Sequence, residues 1–513
     1  MENVNNSRKD IENILRIRNH QPAGPIYINL HKRHAAMCLK DNEELRAIYS
    51  LSESHAPTYR IKTEYRYNKI LTSTENKPQL TMNKDLISFE CPQSFDNEIE
   101  SMLKKVADLP KGIIEKVTVK QKKVYSDNRN ALNNRLKDVI TQMEKNWLRE
   151  WRCLLIGKFY DELTEQLIRE KLNTILQNDK SDYNLTENVQ YLLQRIVAAS
   201  EYLTTNELLK AIYYCMPDHK ELRTKIYKMI LEASNDFQFK TMKRHPVILI
   251  IDEKLDCFPW EMIDVLADHP VSRIPSLHFA YALYKEHEHT IVDGHKQVSS
   301  TVGNYIINPG LDLKKMEMRL KHFFDFWIPQ WKGMVGQTPT SEEFSELLTS
   351  SDIFVYNGHG SGTQFLAANK IQNMRVNSIV LLFGCSSVRM NSMGPFVEMY
   401  DVFHNYMIAC SPCVVGMLWE VTDFDTDLLS TGILSQWIPS EANFHWKYID
   451  TVKWAKGIIA RVANHSLSKH NSKDVDHEPE LLRSINISRK VPIQYITKCA
   501  IVARGLPIKI ISQ

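Results

Sequence analysis

From residue 247 onward the chain alternates two kinds of segment, and that alternation leaves few folds open to it. Val247-Ile-Leu-Ile-Ile251 is a continuous β-branched run, typical of a strand covered on both faces. Further strands are expected at 302–307, 353–356, 379–383 and 414–418, separated by helical segments near 312–327, 341–348, 394–408 and 424–437. Strands that follow one another through helices must run parallel, so the pattern predicts an α/β fold with a mostly parallel sheet flanked by helices. Thr340 followed by Glu343 reads as a capping box opening one of those helices.

Two of the strands end alike. Asp352-Ile-Phe-Val-Tyr-Asn-Gly-His-Gly-Ser361 sets His359 between glycines, and Ser378-Ile-Val-Leu-Leu-Phe-Gly-Cys-Ser-Ser387 sets Cys385 after Gly384. Adjacent parallel strands would bring both side chains to one sheet edge, where open α/β sheets carry their sites. A thiol and an imidazole meeting there have the makings of a nucleophile and its base. Nine cysteines and eighteen histidines also produce near pairs by chance, and a free cysteine is often only a small buried hydrophobe. The glycines favour the chemical reading, because they allow tight turns and close approach of a bound peptide.

The bulk properties exclude several classes. At 513 residues the chain exceeds one typical core, which leads us to expect about three domains. With 64 basic against 61 acidic residues, it has no general electrostatic footprint for nucleic acid. The cysteines are odd in number and scattered without a framework spacing, which favours a reducing compartment. Cys410-Ser-Pro-Cys413 has no second pair nearby and reads as a loop entering a buried strand rather than a metal site, although His404 lies close in sequence. No secretory h-region follows Met1, and no apolar run approaches the ~20 residues that span a bilayer, so an intracellular protein without membrane or cofactor is expected.

Upstream, residues 1–140 are polar and poorly patterned, with a basic stretch at Lys120-Gln-Lys-Lys123 to which no binding role is assigned. The region 141–244 is expected to be helical. Trp147, Leu148, Trp151, Leu154 and Leu155 form an apolar stripe, Val189 to Val197 another, and Thr204 with Glu207 makes a second capping box. Near the end, an amphipathic stretch at 444–463 precedes a polar one at 464–479 that reads as a mobile loop, and 495–506 is apolar enough to return to the core.

Tyr-Asn-Gly-His-Gly-Ser-Gly-Thr-Gln-Phe-Leu at 356–366 and Leu-Leu-Phe-Gly-Cys-Ser-Ser at 381–387 closely resemble the two catalytic motifs of separases, the caspase-like cysteine endopeptidases that cleave the kleisin subunit of cohesin. Phe258-Pro-Trp-Glu261, Val271-Ser-Arg-Ile-Pro-Ser-Leu-His278, Asn308-Pro-Gly310, Trp331-Lys-Gly-Met-Val-Gly336, Leu418-Trp-Glu-Val-Thr-Asp423 and Gly505-Leu-Pro507 resemble further segments of that family in the same order. So does Trp147-Leu-Arg-Glu-Trp-Arg-Cys-Leu-Leu155, and the resemblance covers roughly 141–513. It implies a caspase-like protease region at 245–513, divided into a pseudoprotease or substrate-binding part at about 245–345 and an active part at about 346–513. Separases are usually much longer, with a helical-repeat arm before the catalytic part. The expectation is of a short member whose arm is supplied by a separate helical-repeat subunit, with a catalytic fragment as the alternative.

The resemblance implies roles. Cys385 attacks the scissile carbonyl and His359 acts as base and then acid; caspase-like sites need no third carboxylate, and none is assigned. The backbone N–H groups of Gly360 and Cys385 would hold the oxyanion. Separases cut after arginine in a Glu-x-x-Arg context, which calls for a carboxylate in the first pocket. Asp423 is favoured, with Asp425, Asp427 and Glu420 as alternatives; equally, acids in the first turn of the helix at 424–437 complement its dipole, with Thr422 as a cap. Trp419 is a pocket wall or a core tryptophan. The implied partners are a securin-type pseudosubstrate inhibitor and a cohesin kleisin, encountered at anaphase by a cytoplasmic enzyme with access to the chromosomes. Glu43–Arg46 and Glu480–Arg483 match the cleavage pattern within the chain itself, the second being the more accessible candidate for self-cleavage. The rival readings are an arginine-specific protease with another substrate, a non-hydrolytic securin- and cohesin-binding scaffold, and a zinc protein using Cys410, Cys413 and His404.

Overall fold

The computed structural model describes residues 11–12, 24–41, 43–55, 57, 119–177, 187–392, 398–462 and 477–511. Eleven strands occur among them: β1 Val247–Leu249, β2 Val271–Arg273, β3 Ile291–Val292, β4 His295–Val298, β5 Gly303–Ile307, β6 Lys332–Val335, β7 Ile353–Asn357, β8 Ile379–Leu382, β9 Cys413–Met417, β10 Ile501–Gly505 and β11 Ile508–Ile510. Eight form one sheet in the order β1-β2-β10-β9-β8-β7-β5-β6, and β11, β4 and β3 form a small second one. All neighbours in the large sheet are parallel except β10 and β9, so two parallel blocks of opposite sense meet at that pair. Strands β7, β8 and β9 are buried throughout, which is why their sequences are continuous apolar runs rather than alternating ones. This is the expected mostly parallel α/β sheet.

The helices Lys314–Trp327, Ser341–Thr349 and Asp423–Trp437 stand where the sequence puts them. Thr340 and Glu343 close the expected capping box, as do Thr204 and Glu207. Cys410 sits in a turn at φ 81° and Cys413 opens β9, the loop-into-strand arrangement expected of this pair. Between 394 and 408 only Phe403–Ile408 is helical among the described residues, with the Asp401 carboxylate accepting the Phe403 N–H at 2.9 Å. Within the stretch 444–463 the described residues fold as a 3-10 turn at Trp446–Tyr448, a single helical turn at Thr451–Trp454 and a return that bridges Ile449 to Arg461. Trp446 and Trp454 meet edge to face at 5.5 Å there, and the Trp454 indole donates to the Arg319 carbonyl, so aromatic anchoring replaces helical period. The polar stretch at 464–476 lies outside the described residues.

The helical region contains Glu162–Gln177, Glu187–Ala198, Thr205–Cys215 and Lys220–Phe237. Its Trp147–Leu155 stripe packs on the core but not as an α-helix: Met143–Leu148 is a π turn and Arg149–Leu155 a 3-10 helix. Tertiary bonds override local preference at this joint. Glu144 accepts the backbone N–H of Asp264, and Arg152 donates to both oxygens of Glu207 at 2.7 and 3.0 Å. Within 1–140 the described residues hold the helices Gly24–Lys40, Glu44–Ser54 and Val119–Gln142.

Several motifs that mark the family resemblance meet in one buried cluster. Arg273, 1% exposed, forks onto Glu261 at 2.8 and 2.7 Å, tying the Phe258–Glu261 segment to β2. Ser272 donates to the Gly505 carbonyl, and Arg504 pairs with Asp256. Those segments hold the block β1-β2-β10 together.

Candidate active site

The strand order turns back on itself beside β5. From β5 the chain goes outward to β6, whereas from β7 it goes to β8 and β9 on the other side, so the switch in direction falls between β5 and β7. Crevices at such points, outside the carboxyl ends of the strands, are where open α/β sheets bind ligands. Here the loops after β5, β7 and β8 contribute Asp312, His359 and Cys385, and the helix that follows β9 opens on Asp423.

Register brings the expected pair together. Tyr356 is paired with Leu382, so His359 and Cys385 each lie three residues beyond the same rung of the ladder. The loops touch through backbone: a Cβ on Gly384 would lie 2.0 Å from the Gly360 oxygen and 2.6 Å from the Gly358 oxygen. Only glycine permits that approach. Gly360 has φ 60°, and Ser386, immediately after the thiol, is held at φ 53°, a conformation a side chain rarely adopts. The Tyr356 hydroxyl donates to the His359 carbonyl at 2.9 Å, and Gln364 donates to both at 3.1 and 3.2 Å, stitching the loop. Burial pushes the Tyr356 phenol up, so it remains a donor.

Around the thiol, the Val421 N–H and carbonyl both lie 3.4 Å from Cys385 Sγ. Asp312 Oδ2 lies 2.8 Å from His359 Nε2, with both side chains more than half exposed. That carboxylate was not assigned from sequence. Its signal was present in the Asn308-Pro-Gly310 motif, four residues before it, which marks a shaped loop at the end of a strand.

The acids after β9 have different surroundings. Asp425, 3% exposed, accepts from the Ile493 and Gln494 N–H groups at 3.0 and 3.2 Å and from the Thr497 hydroxyl. Asp427, 1% exposed, accepts from Arg319 Nε at 2.6 Å. Burial pushes its carboxyl up and the Arg319 guanidinium pulls it back down. Asp423 is the open one: its side chain is 47% exposed and takes one bond from Arg319 at 3.2 Å. Glu420 accepts from the Ser386 hydroxyl at 3.3 Å, while its other oxygen is buried without a hydrogen-bond partner. Trp419 is 1% exposed and donates to the Ile496 carbonyl, so it fills the core. Thr422 occupies the cap position but makes no side-chain cap bond.

The two internal Glu-x-x-Arg matches are not extended peptides. Glu480 is 1% exposed and pairs with Arg483 at 2.6 Å at the start of the helix Leu481–Ser488, which reverses the expectation that this site is the more accessible. Glu43 pairs with Arg46 across one turn of Glu44–Ser54. Among the described residues no group of three or more His, Cys, Asp and Glu side chains is arranged to hold a metal, and no helix is long and apolar enough to cross a membrane.

The family model described as the separin protease domain matches residues 69–426. The separin of Mus musculus is 28% identical over 346 residues, covering 66% of this chain and 16% of that protein. The Schizosaccharomyces pombe separin is 32% identical over 195 residues, covering 38% and 10%. The chain thus spans less than a fifth of the length of these relatives. In structure it is similar to separase in two crystal structures of the Saccharomyces cerevisiae separase–securin complex. One matches with a TM-score of 0.61 at 20% identity, covering 82% of this chain and 28% of that one. The other gives 0.64 at 17% identity, covering 99% and 40%. With the family model matching more than half of its residues, the chain belongs to the separin protease-domain family.

Proposed function

We propose that this chain is a cysteine endopeptidase that cleaves the kleisin subunit of cohesin after arginine in a Glu-x-x-Arg context, releasing sister chromatids at anaphase. The observation that supports the reading is the close contact of Gly384 with the backbone of Gly358 and Gly360, which sets the loops of His359 and Cys385 side by side. Cys385 Sγ attacks the carbonyl carbon while His359 takes the thiol proton. The oxyanion is held by the N–H groups of Gly360 and Cys385, donors whose direction the turn fixes in advance. As the C–N bond breaks, the proton passes from His359 to the leaving amine, and water then hydrolyses the thioester with His359 again as base.

Asp423 is the carboxylate we assign to the substrate arginine, supported by its exposure beside the thiol-bearing crevice. Asp425 and Asp427 have their carboxylates engaged within the fold, and Glu420 is nearest to the loop of the nucleophile. A securin-type pseudosubstrate would occupy the same crevice, and a helical-repeat chain would supply the arm that the longer relatives carry. The enzyme would act from the cytoplasm with access to chromosomes during division. To test this, the chain freed of inhibitor is incubated with a kleisin fragment carrying a Glu-x-x-Arg site, beside Cys385→Ser and His359→Ala. Cleavage by the wild type alone is expected; equal cleavage by all three would sink the mechanism.

A further inference from the structure

We infer that Asp312 is a positioning residue for His359, fixing which ring nitrogen faces the nucleophile. The inference rests on the cysteine-protease reading above. Oδ2 of Asp312 lies 2.8 Å from His359 Nε2, so the Nε2–H is donated to the carboxylate and Nδ1 is the nitrogen left to receive the thiol proton. Such a partner holds the imidazole in one tautomer and one rotation, and it stabilises the imidazolium formed when the thiol ionises.

The loop that carries Asp312 is built for this placement. Asn308, fully buried, donates its backbone N–H to the carbonyl of Asn357, the last residue of β7, and so ties the two loops at their roots. Its side-chain oxygen accepts the Leu313 N–H at 2.9 Å, curling the chain around Asp312. Asn308 and Leu311 both have positive φ, at 51° and 67°, which turns the chain sharply on either side of Pro309 and Gly310. Gly310 keeps the space beside the pair open, since a Cβ there would lie 3.1 Å from Asp312 Oδ1 and 3.9 Å from His359 Cδ2. The Asn308-Pro-Gly310 motif is thereby accounted for as the shape that delivers a carboxylate to the imidazole.

In the reaction the S–H proton moves to Nδ1 as the S–C bond forms. Nε2–H stays hydrogen-bonded to Asp312, which takes no proton. The proton on Nδ1 then leaves with the amine when the C–N bond breaks. Asp312 touches neither substrate nor sulfur, and it acts only through the ring.

The test uses the full chain, freed of inhibitor, with a fluorogenic peptide ending in Glu-x-x-Arg. Asp312→Asn should lower kcat about 10-fold to 100-fold while KM stays within about twofold, and Asp312→Glu should recover most of the loss. Nitrogen NMR on histidine-labelled Cys385→Ser protein, with His359→Ala for assignment, should report the Nε2–H tautomer at His359. Asp312→Asn turnover within twofold of wild type, a rise in KM at constant kcat, or an Nδ1–H tautomer would each overturn the inference. Cleavage that survives Cys385→Ser would instead overturn the protease reading, leaving the tautomer measurement to decide the role of Asp312.

Discussion

Arg319, 4% exposed, reaches from the helix after β5 to the helix after β9 and holds both Asp423, at 3.2 Å, and Asp427, at 2.6 Å. One buried cation therefore braces the most exposed of the acids beyond Cys385 and joins the two helices that follow β5 and β9. Arg319→Met leaves the Asp427 carboxyl, which burial pushes up to about 8, without the guanidinium it bonds. Urea unfolding should show a loss of about 1–3 kcal/mol, most of it restored by adding Asp427→Leu. A single substitution with no effect on the unfolding midpoint would show the pair to be dispensable.

Asp423 and Asp425, both in the first turn of the helix Asp423–Trp437, should separate by assay. Asp423→Asn leaves the fold untouched and is expected to raise KM for a Glu-x-x-Arg peptide about tenfold or more. Asp425→Asn acts on stability, because its oxygens satisfy the N–H groups of Ile493 and Gln494, and about 1–3 kcal/mol is at stake. Equal effects of the two on KM would remove Asp423 from its proposed role.

Gly384 and Gly360 offer a comparison of two glycines in one site. At Gly384 a methyl group would meet the Gly360 oxygen at 2.0 Å, whereas at Gly360 it would meet nothing within 4 Å and strain only a backbone at φ 60°. Gly384→Ala should therefore force the loops of His359 and Cys385 apart and abolish detectable turnover. Gly360→Ala should cost about 1–2 kcal/mol and retain measurable activity. Thermal melts beside peptide cleavage would distinguish them, and an active Gly384→Ala enzyme would show that the contact does not set the geometry.

The sequence revealed this fold best where local chemistry and tertiary environment ask for the same thing. Buried central strands β7, β8 and β9 must be apolar on both faces, and the capping boxes at Thr204 and Thr340 satisfy backbone donors whatever packs around them. Strand β10 was legible only as an apolar return, since antiparallel pairing with β9 depends on a partner 84 or more residues away. The Trp147–Leu155 stripe has helical spacing but yields to bonds made by Glu144 and Arg152. In the site, His359 and Cys385 stood out because glycines flank them. Asp312 did not, because its partner is set by the order of strands, which spacing does not encode.

Glu144 makes the joint between the helical region and the protease region sensitive to pH. Burial and the nearby Asp264 charge push its carboxyl up to about 7, against the Asp264 backbone N–H and Arg152, which pull it down. The folded state thus holds the proton more tightly than the unfolded chain does. This group's contribution to stability is complete below about 4.5, its ordinary value, and is lost as pH rises through about 7. Glu144→Gln keeps an oxygen to accept the Asp264 N–H and carries no charge, so it mimics the protonated acid at every pH. Its melting temperature should exceed that of the wild type at pH 8 and converge with it near pH 4.5. Melting curves that stay parallel across that range would show that Glu144 titrates alike in both states.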